Sequence, residues 1–565
     1  MKRAYPLLLA LLFPALPATA QTGAEGEAAR VCAAPLRLAP ATLTDAHGDY
    51  LRAAELAGGI PLRPHLIRRL SEERRAAACA EGAAAARLGG SSLELLPMAS
   101  SIYYNSAYPR DRNNGALWEG RGLSTEIRGG IELRWGPLSA ALAPTIAYQQ
   151  NRDFEIVTGT AHPVYSPYIY QGRPRSIDWP QRFGDQPFWT RDAGQSYVRL
   201  DAFHLAVGLS NENLWWGPAR RNPLLMSSTA PGFPHLFLGT SGGVDVGIGR
   251  VEGQMLWGRL EESDYFDNDP ANDHNLIAGV VVDFEPRWTP GLYLGAARSY
   301  LRHLPAGGLP LSTWLFSPYR GVRENPLGKD NPESDNQLLS LFARWAPPRA
   351  SFEAYVEWAR EDQWADLDEL IMVPDASQAF TVGFQKVLPR GEQWVRIAGE
   401  LTQLADPLPN IRRGTVAFYS HSQLRQGYTH RGRLLGAAIG PGSNAQFLGV
   451  DLFTPSGVRG LYVERVRFDA DANGGRWAQL YAGYGADVEL SAGIHQHLFL
   501  RRFDLGWALV HSYRRNRNYL GLYRSTPEFV TEHNWNLRFD LAWRPGARAQ
   551  SVAPRSAPPI SEGRR

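Results

Sequence analysis

Few residue groups in this 565-residue chain could do chemistry, and each has a plainer reading. Gly239-Thr240-Ser241-Gly242-Gly243 matches the G-x-S-x-G turn of hydrolases. No helical pattern follows it, so the glycines read better as thinning a sheet wall. Asp469-Ala470-Asp471-Ala472-Asn473-Gly474 begins like a calcium loop, but Leu480 stands at the twelfth position, where a bidentate Glu is required. The acidic run Asp264 to Asp273 suits a solvated loop tip. His495 and His497 share one face of a strand without a third ligand in view, and no H-E-x-x-H, phosphate-cradling loop or spaced cysteine quartet occurs. Neither catalysis, a metal nor a cofactor is expected.

Aromatic and basic side chains are more informative. The segment 151 to 193 carries Tyr165, Tyr168, Tyr170, Trp179, Phe188 and Trp189 among Arg173, Arg175 and Arg182. Flat rings cover sugar C–H faces and guanidinium groups pair with carboxylates, so this mixture suits an acidic polysaccharide. Two further groups repeat it: Arg412, Arg413, Arg425, Arg431 and Arg433 with Tyr419 and Tyr428, then Arg514, Arg515 and Arg517 with Tyr513 and Tyr519. The competing reading is a membrane girdle of aromatics, with arginines facing outer-membrane lipids and lipopolysaccharide. With 59 basic and 56 acidic residues, no global field marks a nucleic-acid binder.

The elements that must position these groups are strands. Residues 1–20 have the form of a signal peptide, with Lys2 and Arg3 before an apolar run and Ala18-Thr19-Ala20 at its end. No later run has the length of a membrane helix. Residues 21–91 read as a periplasmic helical module: one helix through Tyr50 and Leu56, and a second opened by Pro64 through Leu66, Ile67 and Leu70. Cys32 and Cys79 are its disulfide candidates. Over 92–545 the pattern has period two, as in Ser124 to Trp135 and Trp535 to Trp543, with short and long connections alternating. This predicts an all-β, transmembrane antiparallel outer-membrane β-barrel of about 18 strands, with Gln195 to Ser210 as two short strands and long extracellular loops. Residues 546–565 read as a disordered tail.

One connection, Asn211 to Gly239, is too apolar for a loop in water. It holds Asn213-Leu214-Trp215-Trp216-Gly217-Pro218, then Asn222-Pro223-Leu224-Leu225-Met226-Ser227-Ser228, then Ala230-Pro231-Gly232-Phe233-Pro234. These stretches resemble the capsule-assembly Wzi family. So do Glu357-Trp358-Ala359-Arg360-Glu361-Asp362 and Tyr428-Thr429-His430-Arg431-Gly432-Arg433 leading to Gly436. The resemblance implies an outer-membrane, lectin-like barrel that anchors capsular or other exopolysaccharide and is not an enzyme. A general diffusion porin and a hydrolase using Ser241 are the alternatives. A monomer is expected, with Trp179, Trp189, Arg175, Tyr168, Arg412, Arg413 and Arg425 as polysaccharide contacts. Trp215, Trp216, Gly217, Pro218, Asn222, Ser227 and Ser228 are expected to fold inward as a lumenal plug.

Overall fold

The period-two segments become one antiparallel ladder in the computed structural model, which describes residues 46–73, 91–157, 177–266, 269–317, 335–361, 371, 377–391, 393–405, 418–421, 424–469, 486–500, 502–520 and 530–544. Sequence neighbours pair through the ladder, and the final strand, Thr531–Trp543, returns to Met98–Asn105 with Asn536 opposite Asn105 and Trp543 opposite Met98. The sheet is thereby a closed barrel. Closure removes the exposed edges that an open sheet of this length would leave. The stretch 195–210 does form two strands, Tyr197–Ala202 and Leu205–Ser210, joined by Phe203 and His204, both at positive φ.

Side-chain alternation decides which face is which. In Asp335–Trp345, Asn336, Leu338, Ser340, Phe342 and Arg344 are buried, while Leu339, Leu341 and Trp345 are exposed. The polar and charged groups of this strand thus point into the barrel, together with Leu338 and Phe342, while the outward face is apolar. Exposed Ile127, Ile146, Leu209, Leu461 and Phe539 continue the outer apolar surface, which suits a lipid environment. At the short-turn end it is edged by Trp135, Trp288 and Trp345, and near the long loops by Trp189 and Trp535. These are the positions of interfacial aromatic belts.

The hydrophobic core lies inside the barrel. Trp216, Leu224, Leu225, Met226 and Phe233 pack with Tyr419, Tyr428 and Leu434 against Ile277, Val281, Leu338 and Phe342 of the wall. At the short-turn end, helix Ala46–Leu56 seats Tyr50 among Trp394, Phe453 and Phe499, with ring centroids 5.4–5.7 Å apart. Arg52 of the helix pairs with Glu353 of the wall at 2.7 Å.

The second expected helix starts later than its pattern predicts. Ile67–Arg69 is a strand paired antiparallel with Leu214–Trp216, and helical structure begins at Leu70. Local helix propensity over Leu66 to Leu70 yields to backbone pairing, because Trp215 and Trp216 bring donors and acceptors into a dry interior that must be satisfied. Residues 1–20, Cys32, Cys79 and the tail 546–565 lie outside the described residues.

Candidate functional site

The connection 211–234 runs through the lumen, held by inward-facing wall side chains. Trp215 and Trp216 are 0% and 1% exposed. Trp215 Nε1 donates to the Ala219 carbonyl at 2.9 Å, and the Arg68 guanidinium stands 5.5 Å over its ring. Gly217 has φ +93°, and a Cβ there would meet Glu357 Oε2 at 2.7 Å, so this turn admits only glycine. Pro218 accepts from Arg52 at 3.1 Å. Glu400 accepts from the backbone N–H groups of Arg220 (2.8 Å), Arg221 (3.2 Å) and Asn222 (2.9 Å). Leu224 N donates to Glu357 at 3.1 Å.

A second lumenal segment packs on the first. Tyr419 Oη donates to the Leu224 carbonyl at 2.5 Å, and Ser227 reaches Leu435 through its N–H (2.7 Å) and Gly436 through its hydroxyl (2.6 Å). Ser228 accepts from Gly115 N at 2.6 Å. The short hairpin Thr429–His430 with Arg433–Leu434 completes this layer. Arg433 is tied to Asp111 at 2.7 Å.

Above this filling, toward the long loops, lies a cavity of about 130 Å³. Its walls carry the rings of Trp118, Phe154, Trp179, Phe468 and Tyr519, interleaved with Arg110, Arg112, Arg514 and Arg517 and the carboxylates of Asp487 and Glu489. Arg514 makes a bidentate pair with Asp487 (2.8 and 2.7 Å) and lies 4.0 Å over Phe468. Arg517 pairs with Glu532 at 2.7 Å and lies 5.1 Å from the Phe154 centroid. Asn516, Asn518 and Tyr519 all have positive φ, strain of the kind the surrounding bonds must hold in place. Asn518 is fixed by donating to Asp487 (2.7 Å) and Gln181 (3.0 Å). Such a wall offers flat apolar faces beside donors and acceptors already oriented, which is what a polyhydroxylated ligand needs.

A second cavity of about 290 Å³ lies on the short-turn side, lined by Asp49, Arg52, Arg220, Arg221, Arg396 and Glu464 among others. Both cavities have Arg110 and Arg112 as wall residues.

Of the residues singled out from sequence, Trp179 lines the long-loop cavity with Arg514, Arg517 and Tyr519. Trp189 does not join them. It is 66% exposed on the outer surface, its ring tilted against Tyr148 with centroids 5.1 Å apart. Its alternation in Phe188–Asp192 turns it away from the lumen. Arg425 is half-buried, while Tyr168, Arg175, Arg412 and Arg413 lie outside the described residues. Arg110, Arg112, Trp118, Asp487 and Glu489 are not singled out by the sequence reading; the dense Arg-Asp-Asn run after Pro109 is a signal for Arg110 and Arg112 alone. Ser241 lies at the short-turn end, its hydroxyl donating to Asp201 at 2.6 Å. His495 faces inward on Asp451 at 3.1 Å. Among the described residues, no group of three or more His, Cys, Asp or Glu side chains could hold a metal ion.

Comparison with known proteins decides the lineage. The family model described as capsule assembly protein Wzi matches residues 120–479. The chain belongs to the Wzi capsule-assembly family. It is an outer-membrane β-barrel protein. One solved structure, from Escherichia coli, is described as a Wzi outer membrane protein involved in group 1 capsule assembly and a carbohydrate binding β-barrel. It aligns with 91% of this chain and 96% of its own at 13% identity and a TM-score of 0.52. Acinetobacter baumannii OccAB2 aligns with 80% of this chain and 98% of its own, at 11% identity and TM-score 0.39. Pseudomonas aeruginosa OccK2 (OpdF), solved with glucuronate, aligns with 80% and 97%, at 10% identity and TM-score 0.38. No curated protein matches by sequence.

Proposed function

We propose that this Wzi-family protein binds a surface polysaccharide at the long-loop end of its barrel and helps to anchor capsule, without acting as an enzyme. The observation that carries this reading is the cavity in which Trp118, Trp179 and Phe154 alternate with Arg–carboxylate pairs. The solved Escherichia coli relative, described as carbohydrate binding, supports it.

In this reading the interrupted strands of the N-terminal wall count as single staves, giving about eighteen around the barrel. Residues 1–20 are a cleaved leader and 21–91 cap the periplasmic mouth. The long loops face outward, the outer apolar surface meets lipid and lipopolysaccharide, and the protein works as a monomer. Arg175, Tyr168, Arg412, Arg413 and Arg425 are further polysaccharide contacts in this reading. Trp189 serves the membrane girdle instead.

The test is a pull-down with the host's own surface polysaccharide, using the full-length protein and a Trp179→Ala variant. Loss of a ring platform should weaken retention about tenfold, the cost of ~1.5 kcal/mol of ring contact. Trp189→Ala should bind as the wild type does. Undiminished retention by Trp179→Ala would refute the assignment of the cavity.

A further inference from the structure

The two cavities meet at a small cluster in which guanidinium groups outnumber the carboxylates they touch. Arg110, Arg112 and Arg221 all turn to Glu464: Arg110 at 3.4 Å, Arg221 at 3.2 Å and Arg112 by a direct hydrogen bond. Glu489 is shared by Arg112 at 3.3 Å and Arg110 at 3.8 Å. Among the described residues, these three guanidinium groups therefore touch two carboxylates, while Glu400, the next carboxylate to Arg221, is taken up by backbone N–H groups and the Tyr355 hydroxyl. The other arginines around the cavities have acids of their own: Arg514 has Asp487, Arg517 has Glu532, Arg396 has Asp451 and Arg538 has Asp540.

Three features mark this arginine cluster as a site. Arg110 and Arg112 are 10% and 14% exposed, so bulk water screens them little. Arg110 Nε makes no hydrogen bond among the described residues, and its 3.8 Å separation from Glu489 is beyond hydrogen-bond reach. Both residues border a cavity on either side, so a ligand has room to approach. Glu119 lines the inner cavity but supplies only part of a charge at neutral pH. Burial, reinforced by the Asp111 charge, pushes its carboxyl up to about 7.

We propose that Arg110 and Arg112, backed by Arg221, form an oxyanion site between the two cavities that takes one carboxylate or phosphate group. Carried on a sugar, the carboxylate would be the feature of an acidic glycan read at this point, and that arm rests on the polysaccharide reading above. A free phosphate would use the same donors. Planar guanidinium groups already held by Glu464 and Glu489 lose little freedom on binding, which favours an oxyanion that completes the cluster.

Purified full-length protein in detergent would be titrated calorimetrically with glucuronate, glucose and inorganic phosphate. Glucuronate should bind at least about tenfold tighter than glucose, the range expected for hydrogen bonds to a charged group. Arg112→Gln should abolish that preference, and Glu464→Gln, which removes a competing carboxylate, should strengthen it. Heat-modifiable migration on gels would establish that each variant retains the barrel. Phosphate binding without glucuronate binding would support the site with the free ion as its source. Equal binding of glucose and glucuronate would overturn it, as would an unchanged preference in Arg112→Gln. If neither anion binds while the host polysaccharide is still retained, the oxyanion site fails and the polysaccharide reading stands. Failure of the polysaccharide as well would remove both.

Discussion

Glu400 is the anchor on which the tip of the lumenal segment hangs, and replacing it should release that tip without opening the barrel. Its carboxylate accepts from three consecutive backbone donors, Arg220, Arg221 and Asn222, and from the Tyr355 hydroxyl at 2.7 Å. Each bond to a charged acceptor is worth ~1.5–3 kcal/mol, and they do not add because they share one group. Glu400→Ala leaves one buried and two partly buried N–H donors without their acceptor, for a local loss of about 3–5 kcal/mol. The loss should stay local: Leu224 keeps Glu357 and Tyr419, and Trp215 and Trp216 keep their pairing with Ile67–Arg69. A loss of that size raises the open population of 218–223 by roughly two to four orders of magnitude. Trypsin reports this directly, because Arg220 and Arg221 are its targets and cleavage follows the open population when reclosing is fast. Glu400→Gln, which keeps one acceptor oxygen, should lie between the two. Wild-type resistance at Arg220 and Arg221 in Glu400→Ala would refute the anchoring argument. A general collapse, with cleavage throughout, would show that Glu400 supports the wall rather than the plug.

Gly217→Val should lower thermal stability and speed cleavage at the same tip, since a side chain adds ~1–3 kcal/mol of backbone strain at φ +93° and strikes Glu357. Thermal unfolding in detergent checks it, and an unchanged midpoint would count against the turn geometry. Trp189→Ala should leave polysaccharide retention intact while reducing barrel recovery on refolding into lipid vesicles, because its ring lies on the outer surface. Glu119 gives a pH signature. Its folded-state pKa of about 7 lies above the ordinary 4.5, so its contribution to stability is fully present below pH 4.5 and is lost as pH rises through 7. That amounts to at most ~3 kcal/mol. Glu119→Gln, titrated by thermal unfolding between pH 4 and 8, should flatten this part of the profile, and an unaltered slope would sink the assignment.

Much of the barrel was legible because alternation along a strand follows directly from burial. Asn336 to Arg344 inward and Leu339 to Trp345 outward can be read from DNQLLSLFARW once one face is assigned. The strand Ile67–Arg69 was not legible, since its pairing partner lies in a segment nearly 150 residues later. Trp189 illustrates another limit. Its neighbours in sequence are the basic and aromatic residues of a long loop, but its place in a strand sets its direction by parity, and parity turns it to lipid. For the cavity, proximity was the missing information. Arg110, Trp118, Trp179, Asp487 and Arg514 come from four separate connections or strand ends and meet only when the barrel closes.

The stretches that carry the family resemblance are contact partners of one another. Gly217 is required by Glu357, Leu224 donates to Glu357 and accepts from Tyr419, and Ser227 is held by Leu435 and Gly436. Gly217, Leu224 and Ser227 are inside the W-W-G-P segment and its continuation, Glu357 is in its own stretch, Tyr419 precedes the Tyr428 stretch, and Leu435 and Gly436 follow it. The pattern therefore encodes how the lumen is filled. It does not encode the lining of the proposed glycan cavity, because Trp118, Trp179, Arg514 and Arg517 lie outside all three stretches. A lumen packed in this way gives loops with different ring and charge patterns the same rigid floor, so glycan preference can vary without disturbing the bonds that close the barrel.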